Sequence, residues 1–195
     1  MKRVRTPLVA TLAVAGLLAT PATSSAAPTT AQAGLPPYAT WIADVTAVTD
    51  QAASYLTQRL PGSGRPAIVL DIDNTSLEST YHPSLADVPA LAPTLRVTRL
   101  AGERGATVFF VTGRPKLGDA VTRHNLDEAG YRYAGLYQTD LPDLLDLQKF
   151  KTTARADIEA KGYTIVANIG NSASDLAGGH SERTFKLPDY DGELP

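Results

Sequence analysis

Residues 67–76 read Ala-Ile-Val-Leu-Asp71-Ile-Asp73-Asn-Thr75-Ser, a run of apolar, β-forming residues that stops in two carboxylates one residue apart. Side chains alternate across a strand, so both carboxylates converge only where the chain leaves the sheet, at the carboxyl edge where open α/β folds bind ligands. Two acids placed so closely favour a cation. They also suit a division of labour in which one is a nucleophile and the other handles protons.

The pattern around that run is of alternating strands and helices. Trp41, Ile42, Val45, Val48, Ala52, Leu56 and Leu60 recur at helical spacing until Pro61-Gly62-Ser63-Gly64 stops them. After the strand at 67–70, helices are expected over 90–103, 116–129 and 147–161, the last two closed by Gly130 and Gly162. Further strands are expected at 108–111, 135–137, 163–169 and 183–187. Such alternation predicts an α/β fold of three layers, Rossmann-like, with a mainly parallel sheet and helices on both faces.

The 195-residue chain opens with a targeting pattern. Lys2, Arg3 and Arg5 precede an apolar stretch from Pro7 to Thr20, and Ser24-Ser25-Ala26-Ala27 offers the small residues a signal peptidase requires. Residues 1–27 are therefore expected to be a signal peptide, 28–37 a flexible linker rich in Ala, Thr and Pro, and 38–195 the folded domain. This predicts a secreted protein, extracellular or periplasmic, with no stable membrane anchor, since the apolar stretch is short for a bilayer. There is no cysteine, which excludes disulfides and a lipid-modified cysteine. Without the three basic residues of the signal, 15 basic residues face 20 acidic ones, a formal charge of −5. That balance and the lack of a basic, aromatic-studded run speak against nucleic-acid polymers as partners.

Three expected strand ends carry polar residues just past the apolar run: Asp71 with Asp73, Thr112-Gly113-Arg114, and Gly170-Asn171-Ser172-Ala173-Ser174-Asp175. Parallel strands bring all three loops to one side of the sheet. The combination resembles the haloacid dehalogenase (HAD) superfamily of phosphohydrolases, in particular its secreted acid phosphatase branch, subfamily IIIB, with its class B and class C enzymes and plant storage relatives. The resemblance rests on Asp71-Ile-Asp73-Asn-Thr75, on Val111-Thr112-Gly113-Arg114 and on Lys151-Thr-Thr-Ala-Arg155, with Asn125-Leu126-Asp-Glu-Ala-Gly130-Tyr131 and Arg183-Thr-Phe-Lys-Leu-Pro188 as lesser signatures.

The resemblance implies a small cap over the sheet and a phosphomonoester as the small-molecule substrate. It implies Asp71 as nucleophile, Asp73 as acid and then base, and Thr112 and Lys151, with Gly113 and Arg114 beside them, on the phosphoryl oxygens. It further implies Mg2+ held by Asp71, Asp73, Asn171 and Asp175, because a hard cation takes oxygen ligands. One departure stands out: where the family pattern is Gly-Asp-x-x-x-Asp, this chain has Asn171 for the first acid. An amide brings no charge to the ion, so the alternative is a non-catalytic phosphate-binding or storage protein with a degraded metal site.

Other motif readings fail on detail. A calcium loop opening at Asp71 would need Gly where Ser76 stands and Glu where His82 stands. His82, His124 and His180 have no metal-ligand spacing, although His82, beside Tyr81, falls in the stretch expected to cover the site. Gly62-Ser63-Gly64 precedes the strand that a phosphate-cradling loop should follow. Nothing in the residues fixes the particular ester or the oligomeric state.

Overall fold

A computed structural model describes residues 34–194 apart from Pro61 and Ser63. The signal peptide and most of the linker expected from the sequence lie outside these residues. Five parallel strands form one sheet: β1 (Pro66–Leu70), β2 (Thr107–Pro115), β3 (Gly135–Thr139), β4 (Thr164–Gly170) and β5 (Thr184–Lys186), in the order β3-β2-β1-β4-β5. The helices are α1 (Tyr38–Arg59), α2 (Ala92–Glu103), α3 (Asp119–Glu128), α4 (Leu147–Ala160) and the single turn α5 (Ala173–Leu176). The strand order reverses beside β1, so β1 sits centrally with β2 on one side and β4 on the other. Such a switch point opens a crevice at the carboxyl ends of the strands.

The alternation within β1 and β2 divides the core. Ile68, Leu70, Val108 and Phe110 pack with Trp41, Val45 and Leu56 of α1, Val97 of α2 and Leu126 of α3. Ala67, Val69, Phe109 and Val111 face the other way, onto Ala154 and Ile158 of α4. A strand buried on both faces has no polar alternation to show, which is why β1 reads as an unbroken apolar run. Gly130 and Gly162 close the two helices as expected, with φ of 81° and 84°, a left-handed turn that suits a residue without Cβ.

Two local features matter for the site. β2 continues past Val111 to Pro115, and its register against β3 slips between those residues, so Thr112–Arg114 bulge out of the ladder. A bulge re-aims side chains that a regular strand would point into the sheet. The second is the stretch between β1 and α2, where residues 76–91 form turns and bends with no helix or strand, and Leu77 makes isolated bridges to Asp73 and Ala90. They fold back by local bonds: the amides of Ser76 and Leu77 both donate to the Ile72 carbonyl, at 2.8 and 2.9 Å. No helix among the described residues is long and apolar enough to cross a membrane.

Candidate active site

Lys151 lies on α4, whose sheet-facing stripe is Lys151, Ala154, Arg155 and Ile158. Its ammonium donates to Asp71 Oδ1 at 3.0 Å and to Asp175 Oδ1. All three residues are at least 93% buried, with exposures of 5%, 7% and 3%. Asp71 follows the last residue of β1 and is tied to the neighbouring strand by its amide, which donates to the Ile169 carbonyl at 3.1 Å. Lys149, two residues before Lys151, is exposed, and its amide donates to the Asp146 side chain at 3.0 Å, capping α4.

Asp175 is placed by the turn after β4. Its Oδ2 accepts from the Ser172 amide at 2.8 Å, and its carbonyl accepts from Asn168 Nδ2 and Arg155 Nη1 at 2.8 and 2.6 Å. A Cβ on Gly170 would fall on the Asp175 side chain, so the end of β4 has to be glycine for that carboxylate to reach the site. Arg155, 1% exposed, also donates to the carbonyls of Ala177 and Gly179, gathering the loop after α5.

Asp73 has different company. Arg114 grips it through two bonds, Nε to Oδ2 at 2.9 Å and Nη2 to Oδ1 at 2.6 Å, and the Ser79 hydroxyl donates to Oδ1. Thr112 is buried, and its hydroxyl oxygen accepts from the Arg114 amide at 3.2 Å. Leu147 lies against Gly113: a Cβ there would be 3.5 Å from its side chain. The elements thus bring the predicted Asp71, Lys151 and Asp175 into one group and Asp73 and Arg114 into an adjoining one.

The two carboxylates of the first loop ionise differently. Burial, reinforced by Asp175 and only partly offset by Lys151, pushes Asp71 from its ordinary 3.8 to about 7. Burial acts on Asp73 in the same direction, but the Arg114 bonds outweigh it and hold that carboxyl below its usual range. Lys151 is raised: burial favours its neutral form, yet the charges of Asp71 and Asp175 prevail and keep it protonated.

Asn171, fully buried, has both polar atoms engaged. Its Oδ1 accepts from Thr75 Oγ1 at 3.0 Å and its Nδ2 donates to the Leu194 carbonyl at 2.7 Å, joining the loop after β1 to the segment after β5. That segment turns through Tyr190, Asp191 and Gly192 with φ of 48°, 56° and 90°, and the fully buried Leu194 holds it down. A carboxylate could replace the acceptor half of this arrangement but not the donor half.

Among the described residues, no three His, Cys, Asp or Glu are grouped to hold a metal. The oxygen donors present are nonetheless those of a small hard cation: the carboxylates of Asp71 and Asp175, the Asn171 amide oxygen and the main chain at Asp73. Asp71, raised first by burial and then by the charge of Asp175, would be steadied in its ionised form by a bound divalent ion. A cavity of about 730 Å³ at the amino edge of the sheet is a separate feature, lined by Arg99 and Arg132 but equally by Glu103 and Asp127, which gives it no preference for an anion.

His82 does not reach these groups. Its Nδ1 pairs with Glu78 at 2.7 Å and its ring stands edge-on to Tyr38. Trp41 is core, and Tyr38, 43% exposed, donates to Glu78. Ser79 is a site-building residue outside the quoted motifs, and Arg155, which ends the Lys151 motif, builds the site in a way the motif does not state. Arg155 was accessible in principle: a cation at an apolar-stripe position of α4, one turn after Lys151, marks a buried polar network.

With this geometry in hand, comparison with known proteins identifies the group. Residues 83–193 match the HAD superfamily, subfamily IIIB (acid phosphatase), and the chain belongs to that family. The matched span begins after Asp71 and Asp73, so those two rest on the geometry described above. The stem 28 kDa glycoprotein of Glycine max is 39% identical over 107 residues, 52% of this chain and 42% of that protein. Acid phosphatase 1 of Solanum lycopersicum is 29% identical over 170 residues, 74% of this chain and 66% of that one. The chain therefore spans about two fifths of the length of the stem glycoprotein. In fold it is similar to the class C acid phosphatase from Bacillus anthracis, with a TM-score of 0.60 at 18% identity over 76% of this chain and 81% of that one.

Two outcomes follow from these contacts. Because the folded Asp71 titrates at about 7 rather than 3.8, the stability it confers is complete at acid pH and is lost as pH rises through about 7. In chelator, Asp71→Asn is expected to gain stability relative to the parent between pH 4 and pH 8, by at most about 4 kcal/mol at 1.36 kcal/mol per pH unit. Urea denaturation of both proteins across that range checks it, and a difference that does not change with pH refutes it. Asn171→Asp should lose stability in the same metal-free buffer, by about 1–3 kcal/mol, because the Leu194 carbonyl is left buried without a donor and beside a carboxylate. A melting temperature equal to the parent's would show that this bond is dispensable.

Proposed function

We propose that this chain is an exported, Mg2+-dependent phosphomonoester hydrolase acting through an aspartyl-phosphate on Asp71. The observation that carries the reading is the buried ammonium of Lys151, 3.0 Å from Asp71 Oδ1, with a second aspartate two residues along the chain held in a separate electrostatic setting. A cation beside a buried nucleophilic carboxylate keeps an oxygen nucleophile compatible with an anionic substrate. Membership of an acid phosphatase family and the likeness to a class C enzyme support it.

In the first step Asp71 attacks phosphorus, the bond from phosphorus to the ester oxygen breaks, and the leaving oxygen takes a proton from Asp73. In the second, water attacks phosphorus and gives a proton to Asp73, and the bond to Asp71 breaks to release inorganic phosphate. Asp73 enters this cycle once Arg114 turns from it to the phosphoryl oxygens, which a guanidinium binds at two points as readily as it binds a carboxylate. Asp73 then takes its proton from solvent. Lys151 and Thr112 hold the remaining oxygens. Mg2+, when bound by Asp71, Asp175, Asn171 and the main chain at Asp73, supplies charge that steadies the transferring group.

The neutral amide of Asn171 favours a second reading, a phosphate-binding or storage protein that keeps the fold without turnover. Export rests on the basic and apolar pattern of residues 1–27.

Turnover separates the readings. The mature chain should hydrolyse a simple phosphomonoester with Mg2+ and stop in chelator, and Asp71→Asn should abolish the reaction while remaining folded. Lys151→Ala is expected to lose on the order of 3 kcal/mol of transition-state stabilisation, more than a hundredfold in rate, whereas Lys149→Ala should be near the parent. Steady-state rates for these variants decide it: full activity in Asp71→Asn removes the covalent route, and no activity in the parent leaves the storage reading.

A further inference from the structure

Leu117 is 99% exposed, Leu145 91%, Leu141 81% and Leu144 44%. All four belong to two connections at the carboxyl edge of the sheet: the 3-10 turn Lys116–Gly118 that follows β2, and the turn Leu141–Leu145 between β3 and α4. The first continues from Arg114 and the second leads into the helix of Lys151. They are fastened side by side. Pro115 pairs with Thr139, Thr139 Oγ1 donates to the Gly113 carbonyl at 3.0 Å, and Gln138 Nε2 donates to the Pro115 carbonyl at 3.2 Å. Lys116 and Asp140 form an ion pair at 2.5 Å, and the residue after each is one of the exposed leucines. Leu147, packed at Gly113, carries the apolar surface inward to the loop of Thr112.

We propose that this leucine rim seats the alcohol portion of the substrate, so that the substrates are phosphomonoesters of long-chain apolar alcohols; this rests on the phosphohydrolase reading above. The phosphoryl group is anchored among Asp71, Lys151 and Thr112, and the ester oxygen has to point out of that buried group. On the side of β2 and β3, the two connections that continue from Arg114 and lead to Lys151 carry the four exposed leucines. Large apolar side chains left bare together on a surface mark a contact site. A second copy of the chain is a poor occupant, because a stable interface buries about 800 Å² and some 20–30 residues on each side, far more than four leucines provide. A bilayer is disfavoured as well: Asp140, Asp143 and Asp146 in and beside the second turn outnumber Lys116 of the first, a balance that anionic lipid repels.

Unbranched alkyl phosphates and the matching non-hydrolysable alkylphosphonates, from butyl to decyl and below their micelle concentrations, test this with Mg2+ present. Complete burial of a methylene is worth roughly a factor of four, and partial cover on a rim less. Calorimetric affinity for the phosphonates and kcat/KM for the phosphates should both rise about tenfold or more from butyl to decyl. In the triple variant Leu117→Ser, Leu141→Ser, Leu145→Ser the rise should flatten, with butyl phosphate handled as by the parent. Hydrolysis of butyl phosphate with no dependence on chain length overturns the rim and leaves the phosphatase reading intact. Chain-length-dependent binding of phosphonates without turnover of any phosphate supports the rim and overturns the phosphatase reading. A parent that sediments as a dimer where the triple variant is a monomer gives the leucines to self-association and overturns the proposal.

Discussion

The site depends on one buried ammonium. Lys151 stands between Asp71 and Asp175, and each of the three would be costly to bury alone. One cation serves both acids, and Asp71 is raised first by burial and then by the charge of Asp175, which Lys151 only partly offsets. A carboxylate that is destabilised when ionised and shielded from water is poised to react, and the fold bears the cost. Apolar residues are packed on both sides of β1, around the site that carries this local cost.

Around this ammonium the protein invests mainly in holding backbone. Arg155 spends its guanidinium on the carbonyls of Asp175, Ala177 and Gly179, and Asn168 adds a bond to the first of these. Asn171 plays a similar part between Thr75 and Leu194, linking segments that are distant in sequence. The amide that departs from the family pattern is thus explained in part by a second task, since it both donates to a carbonyl and accepts from a hydroxyl, where an ionised carboxylate could only accept. The left-handed residues Tyr190 and Asp191 persist beside it because the buried Leu194 and the bond from Tyr190 to Asp44 hold the turn.

Arg114 connects the two halves of the site. Its hold on Asp73 keeps that residue ionised and occupies the guanidinium, so the contact is one that a bound phosphoryl group would compete with. The bulge in β2 makes this reach possible by turning Thr112–Arg114 out of the ladder. Beyond it, the two connections with their leucines form the outward wall of the same edge.

The apolar run into Asp71 and Asp73, the alternation of strand and helix, and the closing glycines determined the parallel α/β fold and the edge at which the site lies. They could do so because burial on both faces and the left-handed turn are local demands written in residue type. Lys151 was favoured by the Lys151-Thr-Thr-Ala-Arg155 pattern that it opens, a resemblance that Lys149 does not share. Only the tertiary structure decided which partners share the site. That Asp175 takes the same ammonium as Asp71, that Arg114 and Ser79 claim Asp73, and that Asn171 binds a carbonyl 23 residues away are contacts between segments with no common sequence period. The ionisation of the two aspartates followed from those contacts and from burial, and neither is a property of the Asp-x-Asp spacing itself.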